Sequence, residues 1–198
     1  MQRKHTAPAQ AAKRIYAMIY AIFLRGINTG KMKLVMSDFK NILEESGCLE
    51  VTSIQAAGTA VFRAEGDACG DLREIIETKL SKHIGKPVHS IIKNIDEIKE
   101  IIDRGASLKS PEDFHDYIML TAGPSVFAEI LKMHEEIPYL EGERLLEGRG
   151  YFIWTITRGS TLDAFGSKVL GSVKFREKLT SRNLNTMQKV YEAMQNHS

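Results

Sequence analysis

The segment of residues 20–62 constrains the fold more than any other part of the chain. It opens on an apolar run, and residues 16–24 are predicted to form a strand buried on both faces of a sheet. A polar, basic loop follows at residues 25–35, and an amphipathic helix is expected after it. Residues 50–56 and 59–64 are predicted to form two strands joined around Gly58. A loop between a strand and a helix is a place where an α+β domain can hold an anion.

Composition indicates an ordinary globular protein. The 198 residues are 43% hydrophobic and 26% charged, which fits one domain or two small intertwined ones. The net charge of +2 is unevenly distributed, because the first 37 residues carry seven Lys or Arg and no acid, which leaves −5 for the rest. A mildly acidic body argues against a broad nucleic-acid footprint. No apolar run approaches the ~20 residues of a membrane span, so no membrane partner is expected.

The N-terminus and the cysteines bear on location. Residues 1–14 are predicted to be a basic, flexible tail. Basic residues followed by the apolar run 15–24 also resemble a signal or transit peptide, but Arg25 and Gly26 follow without a cleavage site, so a buried strand is preferred. Cys48 and Cys69 have no CxxC spacing, which indicates a reducing compartment without structural zinc. We expect a cytoplasmic protein.

The order of elements predicts an α+β fold of two intertwined subdomains. Residues 15–105 are predicted to be ferredoxin-like, with the order β-α-β-β-α-β and a further helix that Asn94 and Glu97 begin as a capping box. Residues 106–198 are predicted to form a second α+β subdomain, an incomplete β-α-β-β-α-α echo without a sequence repeat. Asn185 is predicted to cap the last helix.

Motifs for catalysis or metal binding do not emerge. The loop Gly26 to Lys31 has the context of a phosphate-binding loop, but its glycine spacing is short and no Ser or Thr follows the lysine. A weaker anion site and a solvated turn both remain open for it. The six histidines form no i,i+4 pair, and no GxSxG or facing carboxylate pair occurs, so no metal or cofactor is predicted. Whether the protein is an enzyme stays open.

Three polar motifs in order resemble a bacterial family, domain of unknown function 1697. Residues 23–28 (FLRGIN) with Lys31, Lys33 and Met36, residues 54–62 (IQAAGTAVF) and residues 180–190 (TSRNLNTMQKV) are similar to its patterns LRGINVGGKNKxPM, YIQSGNVVF and TxRNWNTxxKL. The chain departs from them at Gly30, which stands alone, at Val35 in place of proline, at 56–59 with one extra residue, and at Leu184 in place of tryptophan. The resemblance implies two intertwined α+β subdomains, the first ferredoxin-like, and no particular activity.

We expect these motifs to converge on one cleft that binds an anionic ligand, a nucleotide or single-stranded nucleic acid. The candidate ligand-binding residues are Arg25, Asn28, Lys31, Gln55, Thr59, Arg182 and Asn183. One alternative is an enzyme that acts on a phosphorylated small molecule and holds its phosphate with Lys31 or Arg182. Another is that the motifs are structural and that Arg182 and Asn183 tie the last helix to the first loop.

Overall fold

A computed structural model describes residues 17–27, 34–54, 58–66, 68 and 70–197. The predicted tail at residues 1–14 and the candidate site residues Asn28, Lys31 and Gln55 lie outside this part of the chain. None of the helices described is both long enough and apolar enough to cross a bilayer.

The first half forms a four-stranded antiparallel sheet with two helices on one face. Its elements, in chain order, are β1 (Ala17–Leu24), α1 (Met36–Glu45), β2 (Leu49–Ser53), β3 (Thr59–Glu65), α2 (Asp71–Ile84) and β4 (Ser90–Asn94). The strands lie in the order β2-β3-β1-β4, so the predicted ferredoxin-like arrangement is confirmed.

The second half repeats this connectivity in full. Helix α3 (Ile95–Ser107) ends the first half. The second half then contains β5 (Phe114–Thr121), α4 (Ser125–His134), β6 (Arg144–Gly148), β7 (Tyr151–Thr157), α5 (Phe165–Gly171), β8 (Leu179–Asn183) and, as its own last helix, α6 (Leu184–Gln195). The second sheet has the order β6-β7-β5-β8. The α+β class is confirmed, but the expectation of an incomplete β-α-β-β-α-α half is wrong because β8 completes it. This five-residue edge strand carries Thr180, Ser181 and Arg182 and so lacks an apolar signal.

The cap of the last helix is also two residues earlier than expected. Asn183, not Asn185, is the N-cap of α6, and its side chain accepts a hydrogen bond from the Thr186 N–H at 2.8 Å. Strand β8 runs directly into α6, so the extended residue at the junction takes the cap position. The same junction between β4 and α3 has Asn94 as its cap, and the predicted capping box with Glu97 is confirmed.

Each sheet buries both of its faces. Along β1, Tyr20, Ile22 and Leu24 pack under α1 and α2, whereas Ala21 and Phe23 point into a central core. That core also contains side chains of the second sheet and of α3 and α6. The outer face of the second sheet packs on α4 and α5. Burial on both faces explains why β1 is apolar nearly throughout, as predicted.

The two halves are intertwined through their last helices. The carbonyl of His197, just after α6, accepts a hydrogen bond from the Arg63 guanidinium on β3 at 2.9 Å. In the other direction, the Tyr151 hydroxyl on β7 donates to a Glu100 carboxylate oxygen on α3 at 3.2 Å. Each half therefore contributes a helix that contacts the other half's sheet.

The repeat extends to single hydrogen bonds. The Leu24 N–H donates to the Gly58 carbonyl at 2.8 Å, and the Thr121 N–H donates to the Gly150 carbonyl at 3.1 Å. The residue after each of these makes an equivalent bond on the opposite side of the strand. The Arg25 N–H donates to the His89 carbonyl at 3.0 Å, and the Ala122 N–H donates to the Lys178 carbonyl at 2.8 Å. Arg25 and Ala122 are therefore equivalent positions. By the same register, Lys93 on β4 is the counterpart of Arg182 on β8.

Candidate functional site

Arg182 brings together described parts of all three polar motifs. Its Nε donates to the Thr59 hydroxyl at 3.1 Å, and one of its terminal nitrogens donates to the Leu24 carbonyl at 2.9 Å. The other terminal nitrogen donates to the Ser181 carbonyl at 2.7 Å and to the Thr180 hydroxyl at 3.1 Å. The guanidinium also lies 5.7 Å from the centre of the Phe23 ring. The structure therefore places the end of β1, the start of β3 and β8 in direct contact.

Arg25 makes the reciprocal contact from the first half to the second. It lies immediately after β1, and its guanidinium donates to the carbonyls of Leu170 at the end of α5, of Phe175 at 3.3 Å, and of Leu179 at the start of β8. Backbone carbonyls that terminate elements need donors when water is excluded from them. Arg25 and Arg182 supply those donors across the junction of the two halves.

Burial affects both guanidinium groups. Burial, and secondarily the positive charge of Arg176, holds the pKa of Arg25 below its usual range. Burial alone lowers the pKa of Arg182 to about 10. Both groups stay cationic at neutral pH, so the junction carries positive charge in a partly desolvated place.

The remaining candidate residues divide into two groups. Thr59 is fully buried and serves as an acceptor for Arg182, and the Asn183 side chain is used as the cap of α6. Asn28, Lys31 and Gln55 lie outside the described residues, so their part in a site stays a prediction. The structure thus joins Thr59 and Arg182 directly, gives Arg25 separate contacts with the second half, and gives Asn183 a local role.

A cleft of about 550 Å³ opens beside Arg25, between the two halves. Part of its lining is the start of the first loop, Arg25, Gly26 and Ile27, and Ile27 is the last residue described before a gap at 28–33. Two connections that lead into equivalent strands form its walls, one before β4 and one before β8. The lining residues from these connections are Lys86, Pro87, His89, Arg176 and Glu177. These were not recognised from the sequence because they belong to no motif.

The wall before β4 is fixed to helix α2. The helix ends at Gly85, which adopts a left-handed conformation with φ of 78°, and Pro87 then keeps the chain out of the helix. The Ser81 hydroxyl accepts the Val88 N–H at 2.9 Å, and a Glu77 carboxylate oxygen accepts the Ser90 N–H at 2.7 Å. These bonds fix the backbone on both sides of His89 to the helix.

The wall before β8 is fixed by a buried aromatic residue. Phe175 is fully buried in the outer core of the second sheet and ends a short 3-10 helix, Val173–Phe175. Arg176 and Glu177 follow it immediately and are exposed. The anchored ring therefore determines where these two charged side chains start.

The cleft is positive on balance. Among the described lining residues, Arg25, Lys86 and Arg176 contribute three cationic side chains, against the single carboxylate of Glu177. Glu177 lies 3.5 Å from His89 Nε2, so a histidine–carboxylate pair sits at the same place. A neighbouring groove on the outside of α2 shares Lys86, Pro87 and His89 but is also lined by Glu74 and Glu77. It is therefore less suited to an anion than the cleft between the halves.

Metal chemistry has no cluster to use within the described ranges, since no group of three or more His, Cys, Asp or Glu side chains is placed to hold an ion. Cys48 is buried, and burial raises the pKa of its thiol to about 12. This thiol is therefore unsuited to act as a nucleophile.

The fold and the junction define a class of α+β protein with two interlocked ferredoxin-like units in one chain. Residues 18–147 match the family model described as Protein of unknown function (DUF1697). The chain belongs to this family, so the resemblance to it is confirmed. The matched range ends within β6, so the motif around Arg182 lies beyond it.

A solved structure supports the same fold over nearly the whole chain. It is a conserved bacterial protein, SP0830, from Streptococcus pneumoniae, with 22% sequence identity and a TM-score of 0.74. The similarity covers 91% of this chain and 99% of that protein, and at this identity it establishes the fold alone. No curated protein matches the chain.

Proposed function

We propose that this protein binds a phosphorylated small molecule of nucleotide size in the cleft between its two halves. The observation that carries the proposal is the meeting of Arg25, Lys86 and Arg176 around one cleft that has a single carboxylate. The charge of Arg176 contributes to the lowered pKa of Arg25, so the two cations disfavour each other. A bound anion relieves that repulsion.

The size and lining of the cleft favour a nucleotide over a nucleic-acid strand. A volume of about 550 Å³ lies within the roughly 300–1,000 Å³ of typical small-molecule sites. Single-strand binding relies on aromatic rings on which successive bases stack, and the described lining contains no Phe, Tyr or Trp, so that His89 carries its one aromatic ring. The acidic balance of the chain after residue 37 also disfavours a long polyanion.

The proposed setting is the cytoplasm. Cys48 and Cys69 have no spacing typical of paired or zinc-binding thiols, which supports a reducing compartment.

Binding is tested on the full chain with a panel of fluorescent nucleotides and labelled oligonucleotides, measured by anisotropy at low and high salt. Arg176→Gln and Lys86→Gln each remove one charge without touching the carbonyl contacts of Arg25, and we expect Kd to rise by about tenfold. Lys132→Gln, an exposed lysine on α4 outside the cleft, is the matched control.

The absence of nucleotide binding at low salt would overturn the proposal, and so would equal affinities for the cleft variants and the control. Tighter binding of oligonucleotides than of nucleotides would show instead that the ligand is single-stranded nucleic acid. Arg25→Ala is a poorer probe, because it also removes donors from the Leu170 and Phe175 carbonyls.

The His89–Glu177 pair supports a second candidate, an enzyme that acts on a phosphorylated small molecule. A histidine next to a carboxylate is a common general acid–base arrangement, and this one lies beside the cations that would hold phosphate. A screen of phosphatase and transferase substrates tests it. Catalysis is supported if His89→Ala abolishes turnover and Arg176→Gln raises KM. Unchanged turnover in His89→Ala excludes this role for the pair.

We further infer that Arg182 and Asn183 serve the structure and do not contact the ligand. The Arg182 guanidinium donates to four protein acceptors, and the Asn183 side chain is the cap of α6. On this inference, Arg182 and Asn183 belong to the family motif because they hold the two halves together. The cleft lies beside that junction.

A further inference from the structure

A second polar cavity, of about 190 Å³, lies at the position that the internal repeat makes equivalent to Arg25. It is bounded by α2, by β4 and by the end of β5, and shares no lining residue with the cleft described above. Its polar or charge-bearing lining includes Arg73, Ser90, Lys93, Glu97 and Thr121, and Ala122 closes one side. At about 30 Å³ per water, its volume corresponds to about six water molecules.

Two cations reach this cavity from different elements. Lys93 is only 7% exposed, and its ammonium lies 2.8 Å from a Glu97 carboxylate oxygen. The backbone of Gly150 also covers it, since a Cβ atom there would lie 2.8 Å from the Lys93 Nζ. The Nε of Arg73 is buried and has no hydrogen-bond acceptor within the part of the chain that the structure describes. A buried donor without an acceptor carries a desolvation cost that a ligand oxygen would remove.

The other polar groups of the lining leave the donor role to these two cations. The Ser90 hydroxyl donates to Glu77 at 2.8 Å, and the Thr121 hydroxyl donates to the Gly123 carbonyl at 3.1 Å. A lysine ammonium has three N–H donors, of which Glu97 accepts one. The cavity therefore offers N–H donors on positive groups to whatever occupies it.

The internal repeat explains why the cavity is open. Arg25 follows β1 and reaches across to the carbonyls of the other half. Its counterpart after β5 is Ala122, whose methyl group cannot reach across in the same way. Lys93 stands where the second half has Arg182, so a cation is kept on the neighbouring strand although the plugging arginine is absent.

We propose that this cavity is a second anion site, which takes inorganic phosphate or a terminal phosphate group between Arg73 and Lys93. A tetrahedral oxyanion accepts from both cations at once, and the charge-assisted bonds so formed are the stronger kind of hydrogen bond. This site is separate from the cleft between the halves, and its presence does not depend on what the cleft binds.

The test is a titration of the isotopically labelled full chain with sodium phosphate, followed by the backbone amide signals in NMR spectra at constant ionic strength. We expect saturable shifts at Lys93 and Thr121, an affinity at least about tenfold weaker in Arg73→Gln, and no binding in Ala122→Arg, which copies the plug of the other half. Arg176→Gln, a cleft variant, is expected to leave these shifts unchanged.

A second titration with phenyl phosphate distinguishes the free phosphate ion from a terminal phosphate group of a larger molecule. Saturable shifts with inorganic phosphate alone indicate an enclosed site for the free ion. Saturable shifts with both compounds indicate a site for a terminal phosphate group. Shifts that do not saturate, or equal affinity in the wild type and Arg73→Gln, would overturn the proposal. If Ala122→Arg does not fold, Arg73→Gln alone decides the outcome, because Arg73 lies in the first turn of α2 and is not part of the buried core.

Discussion

The Nε of Arg182 donates a hydrogen bond to the hydroxyl of Thr59, at 3.1 Å, across 123 positions of the chain. Thr59 is fully buried at the start of β3, and Arg182 lies on the edge strand of the other sheet. The same guanidinium donates to the last carbonyl of β1, that of Leu24. One side chain therefore fixes the ends of two strands of the first sheet to the second.

Replacing Arg182 is expected to destabilise the protein. Arg182→Met keeps the aliphatic stem but removes the donor of the Thr59 hydroxyl and leaves the Leu24 carbonyl with the longer, 3.5 Å hydrogen bond from the Thr180 hydroxyl, at a cost of about 3 kcal/mol in the free energy of unfolding. Urea denaturation measures this cost. Arg149→Met, at an exposed turn, is the control, and equal stability of the two variants would contradict the structural role of Arg182.

Two glycines of one helix give a matched pair of substitutions. A Cβ atom at Gly166 would lie 2.3 Å from the Trp154 ring, whereas one at Gly171 meets nothing within 4 Å. Gly166→Ala must displace a buried ring and is expected to cost about 1–3 kcal/mol. Gly171→Ala is expected to be neutral or to stabilise by up to about 1 kcal/mol. Thermal unfolding of both variants checks this, and similar melting temperatures would refute the close approach.

Glu143 organises the second half by accepting from four donors. One carboxylate oxygen accepts from the Trp154 indole at 2.7 Å and from the Gly166 N–H at 2.9 Å. The other accepts from the Leu140 N–H at 2.9 Å and from the Phe165 N–H at 3.1 Å. An amide has one oxygen only, so in Glu143→Gln an NH₂ group must face two N–H donors.

We therefore expect Glu143→Gln to lose about 2–4 kcal/mol of stability despite its matched shape. Fluorescence of Trp154, the single tryptophan of the chain, reports both the unfolding and any change around the indole. Glu147→Gln on the exposed side of β6 serves as the control. A loss no larger than that of the control would show that this carboxylate is dispensable.

Tyr151 predicts an alkaline pH dependence of stability. Burial, and secondarily the charge of Glu100, raises the pKa of its phenol to about 12. The folded protein thus keeps a proton that the unfolded chain loses near pH 10, so the stabilisation is complete below pH 10 and is lost as the pH rises through 12. The stability difference between wild type and Tyr151→Phe is expected to shrink by about 2–3 kcal/mol over that range.

Unfolding in urea at a series of pH values measures this difference. Between pH 6 and 8 it is expected to be constant, which provides the internal control. Glu100→Gln removes one of the causes, so the decline should still begin near pH 10 but end at a lower pH and be smaller in total. A difference that stays level from pH 10 to 12 would mean that the phenol is not held in its protonated form by the fold.

The first half could be predicted because its signals are local. Strand β1 is apolar on both faces, as a central strand must be, and Asn94 with Glu97 marks the start of α3 by a capping box that the structure contains. In the second half, β8 was missed because polar residues occupy a short edge strand, and its polar side chains bond across the junction.

From the sequence, only those residues of the candidate site that belong to a motif were singled out. Thr59 and Arg182 are in direct contact, and Arg25 follows Leu24, whose carbonyl Arg182 also contacts, whereas the part of these residues in binding a ligand stays a prediction. Lys86 and Arg176 lie in ordinary connections, and their approach depends on how two sheets pack, which no local pattern encodes. The repeat leaves identical residues at equivalent positions, such as Asn94 and Asn183, each after a basic residue, and these could have indicated that the two halves are related.

The division of the chain into ranges 1–14, 15–105 and 106–198 stays a prediction. Each of the longer ranges encloses one outer core, but the central core is built from both sheets and from helices α3 and α6.

Because both halves share one connectivity, a polypeptide of half this length could bury the same faces by pairing with an identical copy. In such a homodimer, any substitution would appear at both ends of the assembly simultaneously. In a single chain that contains both halves, the two equivalent corners of the junction, after β1 and after β5, can carry different residues. The Arg25 guanidinium can then fill the space at one corner, while Ala122 leaves the equivalent space at the other corner open. The asymmetry between these two corners is open to selection only in such a single chain.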